Sequence, residues 1–121
     1  MVDINFKTES NGIMEAERNK SPLILAAENG HREVVHLLLD RGAEPNMSSL
    51  WGETPLILAT NEGHIDVVNL VYYGIQGAEL SMANINGNSA LFYAARNGHT
   101  DVVHLLLERG AVVTRMWSNS S

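Results

Sequence analysis

The chain has 121 residues, 45% of them hydrophobic and 18% charged, with a formal net charge of −6 and no cysteine. That length and balance describe one folded domain and exclude a chain disordered beyond its ends. No apolar run reaches the roughly eighteen residues that a membrane span needs, and no basic segment followed by an apolar stretch marks a secretory signal. The acidic balance, with no cluster of Lys or Arg to offset it, disfavours nucleic acid and directs recognition towards neutral or basic partners. Absence of cysteine fits an intracellular setting, cytoplasmic or nuclear.

In chain order, the first helical signal is Ser21-Pro22-Leu23-Ile24-Leu25-Ala26-Ala27, a hydroxyl cap followed by proline at the first helical position. Gly30 ends this short helix, and a second begins almost at once with Glu33 in its first turn, where the helix dipole favours a negative charge. Val34, Val35, Leu37, Leu38 and Leu39 follow at three- and four-residue spacings and predict one broad apolar face. Gly42 stops the helix, and a connector leads to Thr54. There the pattern starts again. Thr54-Pro55-Leu56-Ile57-Leu58-Ala59 runs to Gly63, and Asp66 opens a helix carrying Val67, Val68, Leu70 and Val71, which Gly77 stops. The third copy opens at Ser89, reaches Gly98, carries Asp101, Val102, Val103 and Leu105 to Leu107, and ends at Gly110-Ala111. The copies start 33 and then 35 residues apart, a period that predicts a stacked solenoid in which each helix pair is covered by its neighbours.

These segments, with Gly-His in each inter-helix turn and Gly-Ala after each second helix, resemble the ankyrin repeat. The resemblance covers residues 21 to 111 and implies an all-α-dominated ankyrin-repeat solenoid of helix-turn-helix units with projecting β-hairpin fingers. It divides the chain into repeats at 21–53, 54–88 and 89–121, the last with an incomplete finger. Residues 1–20 then read as a lengthened finger of a preceding repeat or an N-terminal cap, since Met1-Val2-Asp3-Ile4-Asn5 is similar to a finger opening. The chain is thus expected to be part of a longer array or a small protein with degenerate caps, its outer apolar faces open to self-association. Ile24, Ile57 and Phe92 stand where the family carries histidine, and Ala90 replaces its proline. The second copy carries two extra residues within Tyr72-Tyr73-Gly74-Ile75-Gln76, expected to form a local bulge.

Little in the chain points to chemistry. His31, His64 and His99 recur in register, but stacked helices lie roughly 8–10 Å apart, whereas zinc holds imidazole at about 2 Å, so the three are expected to bond backbone groups instead. His36 and His104, with Asn69 at the matching place between them, are expected on the solvent side of the second helices. No nucleophile elbow or phosphate-binding loop occurs, so no catalytic, metal or cofactor site is assigned. Asn46-Met47-Ser48 and Asn119-Ser120-Ser121 match the glycosylation pattern only by chance in a chain without an export signal.

What remains is recognition. Trp51 falls at a finger turn beside Leu50, and Ile85 takes the matching place in the next finger. Large apolar side chains on projecting turns form a contact patch unless neighbouring fingers cover them. The resemblance implies a protein-protein interaction module that binds on the concave surface of fingers and first helices. Carried over position by position, that surface comprises Glu28 and Asn29 in the first repeat, Leu50, Trp51, Glu53, Asn61 and Glu62 around the second, and Ile85, Asn86, Asn88, Arg96 and Asn97 around the third. Trp51 is the expected anchor, and Trp117 carries less weight. The resemblance also implies two alternatives. One is a substrate of an asparaginyl hydroxylase at Asn46, the single internal finger asparagine, Ser81 and Thr114 holding its other places; the other is a spacer or regulatory segment of a larger enzyme.

Overall fold

Ser21, Thr54 and Ser89 each begin a helix by the same device. Their backbones are extended, and their hydroxyl oxygens accept from the amide three residues on, those of Ile24, Ile57 and Phe92, at 3.2, 3.1 and 3.4 Å. One otherwise orphaned amide per helix is thereby satisfied. The computed structural model describes residues 20–72 and 79–108. Among them six helices follow in pairs: α1 (Pro22–Glu28) with α2 (Arg32–Asp40), α3 (Pro55–Asn61) with α4 (Ile65–Tyr72), and α5 (Ala90–Asn97) with α6 (Thr100–Glu108).

The pairs stack in two rows. Helix α3 packs between α1 and α5, and α4 between α2 and α6. Leu23, Ala27, Val35, Leu56, Ala59, Val68, Leu91, Ala94 and Val102 belong to one continuous core that runs through all three pairs. Small residues at Ala27, Ala59 and Ala94 let the first helices approach one another closely.

Each inter-helix turn closes in the same way. The amides of His31, His64 and His99 donate back to the carbonyls of Ala26, Ala59 and Ala94 at 3.0, 2.9 and 2.9 Å. The imidazole of His64 reaches one repeat back, its Nε2 3.1 Å from the carbonyl oxygen of Glu28, and His99 makes the same 3.1 Å contact with Asn61. Gly30 and Gly63, at φ of +75° and +77°, leave the room these rings fill: a Cβ on either would lie 2.8 Å from the ring. Glycine is therefore fixed there twice, by a left-handed backbone and by the histidine of the following repeat.

The fingers are short and closed mainly at their turns. Among the described residues they form tight turns and a single antiparallel bridge, Ala83 with Ser89, and not regular hairpin strands. The reason lies in Ser49 and Asn84, which stand at equivalent places. The Ser49 hydroxyl accepts from the amides of Trp51 and Glu53, and the Asn84 side-chain oxygen accepts from those of Asn86 and Asn88, so side chains take donors that a strand ladder would use.

The apolar residues of α2 are buried unequally. Val35 and Leu39 are buried, Leu38 is half-buried, and Val34 and Leu37 are exposed. Comparing equivalent positions gives the cause. Val34 is 47% exposed, whereas its counterparts Val67 and Val102, which have a described helix pair before them, are 0% and 1% exposed. Leu39 is 5% exposed, whereas its counterpart Leu107, with no described pair after it, is 43% exposed. One part of the apolar face thus meets the preceding repeat and the other the following one. The finger proposed within residues 1–20, the insertion at Tyr73 to Gln76, Gly77, Gly110 and Trp117 lie outside the described residues.

Candidate functional site

Two finger tips form the centre of the surface. In the first, the amide of Gly52 donates to the carbonyl of Ser49 and that of Ser49 to the carbonyl of Glu53, both at 2.9 Å. In the second, Gly87 donates to Asn84 at 2.9 Å and Asn84 to Asn88 at 3.1 Å. The tips are joined directly, the Ile85 amide donating to the Trp51 carbonyl at 2.9 Å. A Cβ on Gly52 would lie 3.1 Å from the Ile85 nitrogen and 3.2 Å from the Asn84 Cα, so this close approach of two main chains needs glycine.

With the backbones turned inwards, the tip side chains project. Trp51 is 42% exposed and Ile85 63%, and Leu50 is also exposed. Asn86 is exposed and Asn88 half-buried. Behind the second tip, the buried Asn84 donates from Nδ2 to the Tyr93 hydroxyl at 2.9 Å, tying the finger to α5.

The acids and amides divide between structural and open roles. Glu28 pairs with the buried Lys20 at 2.9 Å. Glu53 stands close enough to this pair to feel it: burial raises its proton affinity above that of an ordinary glutamate, Lys20 opposes the rise, and Glu28 adds to it. Asn29 donates from Nδ2 to the Leu25 carbonyl at 2.9 Å and finishes α1. Asn97 donates to the Asn61 side-chain oxygen at 2.7 Å and to its carbonyl at 3.1 Å, a link between repeats on the exposed side. Glu62 is exposed at the end of α3. Asn46 is half-buried, and its side-chain oxygen accepts from the Glu79 amide at 2.8 Å, again joining one finger to the next.

Arg96 is exposed, its guanidinium carbon 5.0 Å from the Tyr93 ring centroid and 5.7 Å from that of Phe92. These are cation–π distances. Phe92 was not among the residues selected from sequence, yet it is exposed while its counterparts Ile24 and Ile57 are buried. It occupies a position that a following helix pair covers in the other repeats, and so belongs to the end of the stack more than to the finger row. Asn84 and Ser49, which shape the tips, were also missed; the matching Ser-x-x-Gly and Asn-x-x-Gly spacings were their visible signal.

His36 and His104 are exposed, with His36 Nδ1 3.6 Å from the Asp40 carboxylate one turn on. Among the described residues no three His, Asp or Glu side chains converge in a way that could hold a metal ion. No described helix is long and apolar enough to cross a membrane.

Comparison with curated proteins returned no match. A family model described as three copies of the ankyrin repeat matches residues 2–80 and, in a second placement, residues 23–116. Among the described residues of that matched span stand capped helix pairs, turn histidines bonded one repeat back and finger turns joined side by side, and the chain belongs to the ankyrin-repeat family.

Proposed function

We propose that this chain recognises a protein partner on the row of finger tips and first helices, with Trp51 as its apolar anchor. Ankyrin repeats are generally protein-protein interaction modules, and the finer assignment rests on one observation. Leu50, Trp51 and Ile85 are exposed on two tips whose main chains are bonded to each other, so three apolar side chains stand on a rigid base. An anchor held in place before binding loses little conformational freedom on contact. Glu53 follows the tip and Glu62 stands exposed at the end of α3, in a chain of net charge −6, which suits a partner with an apolar side chain beside basic or amide-donating groups. The chain acts by binding and not by catalysis.

The test is a comparative capture from lysate of the source cells, with wild type, Trp51→Ala and His36→Ala immobilised in parallel. Partners retained by wild type and His36→Ala but lost by Trp51→Ala support the assignment. Equal retention by all three moves the binding surface away from the fingers.

A further inference from the structure

The two ends of the described stack are the open halves of a joint that the chain itself builds twice. In each internal joint the earlier repeat supplies a left-handed glycine and a carbonyl, which receive the histidine of the later one: Gly30 and Glu28 receive His64, and Gly63 and Asn61 receive His99. Beside this contact, α2 packs on α4 and α4 on α6. At the α5–α6 end the accepting half is intact. Gly98 keeps φ at +73° with nothing within 4 Å of its Cβ position, and Phe92 and Leu107 are exposed. At the α1–α2 end the entering half is intact, with His31, Val34 and Leu37 all exposed. None of the five side chains among them carries a fixed charge, whereas a solenoid that ends in solvent carries polar outer faces.

We propose that a second copy of this chain closes the joint. The α5–α6 end of one copy stacks on the α1–α2 end of the next, with His31 of the second seated over Gly98 and bonded to the Arg96 carbonyl of the first. The fit follows from residue identity, since His31 repeats His64 and His99, Val34 repeats Val67 and Val102, Gly98 repeats Gly30 and Gly63, and Leu107 repeats Leu39. The two surfaces differ, so the contact is head-to-tail and does not close at a dimer. It lies at the ends of the stack and does not use the finger-tip residues Leu50, Trp51 and Ile85.

Sedimentation of the 121-residue chain tests this. The wild-type average mass should rise with concentration above the 13.3 kDa of one chain. Leu37→Glu breaks only the entering half and Leu107→Glu only the accepting half, so each alone should associate about tenfold more weakly or worse, a buried charge being costly. Mixed in equal amounts they should form a one-to-one dimer and stop there, because one intact half survives on each. Val34→Lys and Ala95→Lys, also at open positions, form a second pair of opposite charge; they separate loss of contact from added repulsion, and replace the first pair if circular dichroism shows either member unfolded. A wild-type chain that stays at one-chain mass at every concentration, single variants that associate like wild type, or a mixture that remains monomeric each overturns the proposal.

Discussion

The imidazole of His64 occupies the space that a Cβ on Gly30 would require, with ring atoms 2.8 Å from that position. Backbone conformation and inter-repeat packing are thus coupled at one residue, and glycines that look alike in sequence are held by different numbers of constraints.

Gly63→Ala should therefore be more damaging than Gly98→Ala. Both force a left-handed backbone on an L-residue, at about 1–2 kcal/mol, but only Gly63 also confronts a ring, that of His99, and should lose about 1 kcal/mol more. Denaturant unfolding of the two variants measures the difference, and equal losses would remove the coupling.

His64→Ala should lower stability by about 1 kcal/mol through loss of its bond to the Glu28 carbonyl, while His31→Ala, exposed, should change it by less than about 0.5 kcal/mol. Both are read at concentrations low enough to keep the chains apart. A larger loss for His31 would contradict its placement at an open end.

Thr60 is fully buried, and its hydroxyl has no hydrogen-bond partner. Its counterparts are Ala27 and Ala95. Thr60→Val keeps the volume and removes the unsatisfied group, and should raise stability by about 1 kcal/mol. A lower melting temperature would mean that the hydroxyl is bonded in solution.

Glu53 gives a pH dependence whose sign follows from its burial. Folding raises its proton affinity, so the folded state binds more protons, and stability falls as pH climbs from the ordinary glutamate value through the raised one. Glu53→Gln should melt higher than wild type at neutral pH, and this advantage should vanish in acid below the ordinary glutamate value, where the wild-type side chain is neutral in both states. Paired melts from acid to neutral pH decide it; a variant less stable than wild type at neutral pH would show that attraction to Lys20 outweighs burial.

Trp51→Ala should cost upwards of about 2 kcal/mol of partner affinity and less than about 0.5 kcal/mol of folding stability, since its side chain is exposed and the finger is held by main-chain and Ser49 contacts. Calorimetric titration with a captured partner, with His36→Ala as control, provides the check.

The caps at Ser21, Thr54 and Ser89, the turn glycines and the stacking period were legible because each rests on local chemistry that repeats in register. The histidines were legible in kind, as backbone-bonding groups, although only the structure shows that they reach back one repeat. The sharing of the α2 face was not legible. Val34 and Val35 are adjacent and chemically identical, and periodicity places both on one broad stripe without saying which neighbour covers which edge. Finger geometry was hidden for a related reason: Asn84 reads as a polar loop residue until its side-chain oxygen is found bonded to two amides and its amide to Tyr93.

The bond from the Ile85 amide to the Trp51 carbonyl has a consequence for how such a surface changes over time. It is written in main chain, and the turns beside it are fixed by Gly52, Ser49 and Asn84, so the identities of residues 50, 51, 85 and 86 do not enter the architecture. Mutations at those four positions are screened by selection for recognition and scarcely by selection for folding. Such a chain can exchange one partner for another through single substitutions, each step passing through a protein that still folds.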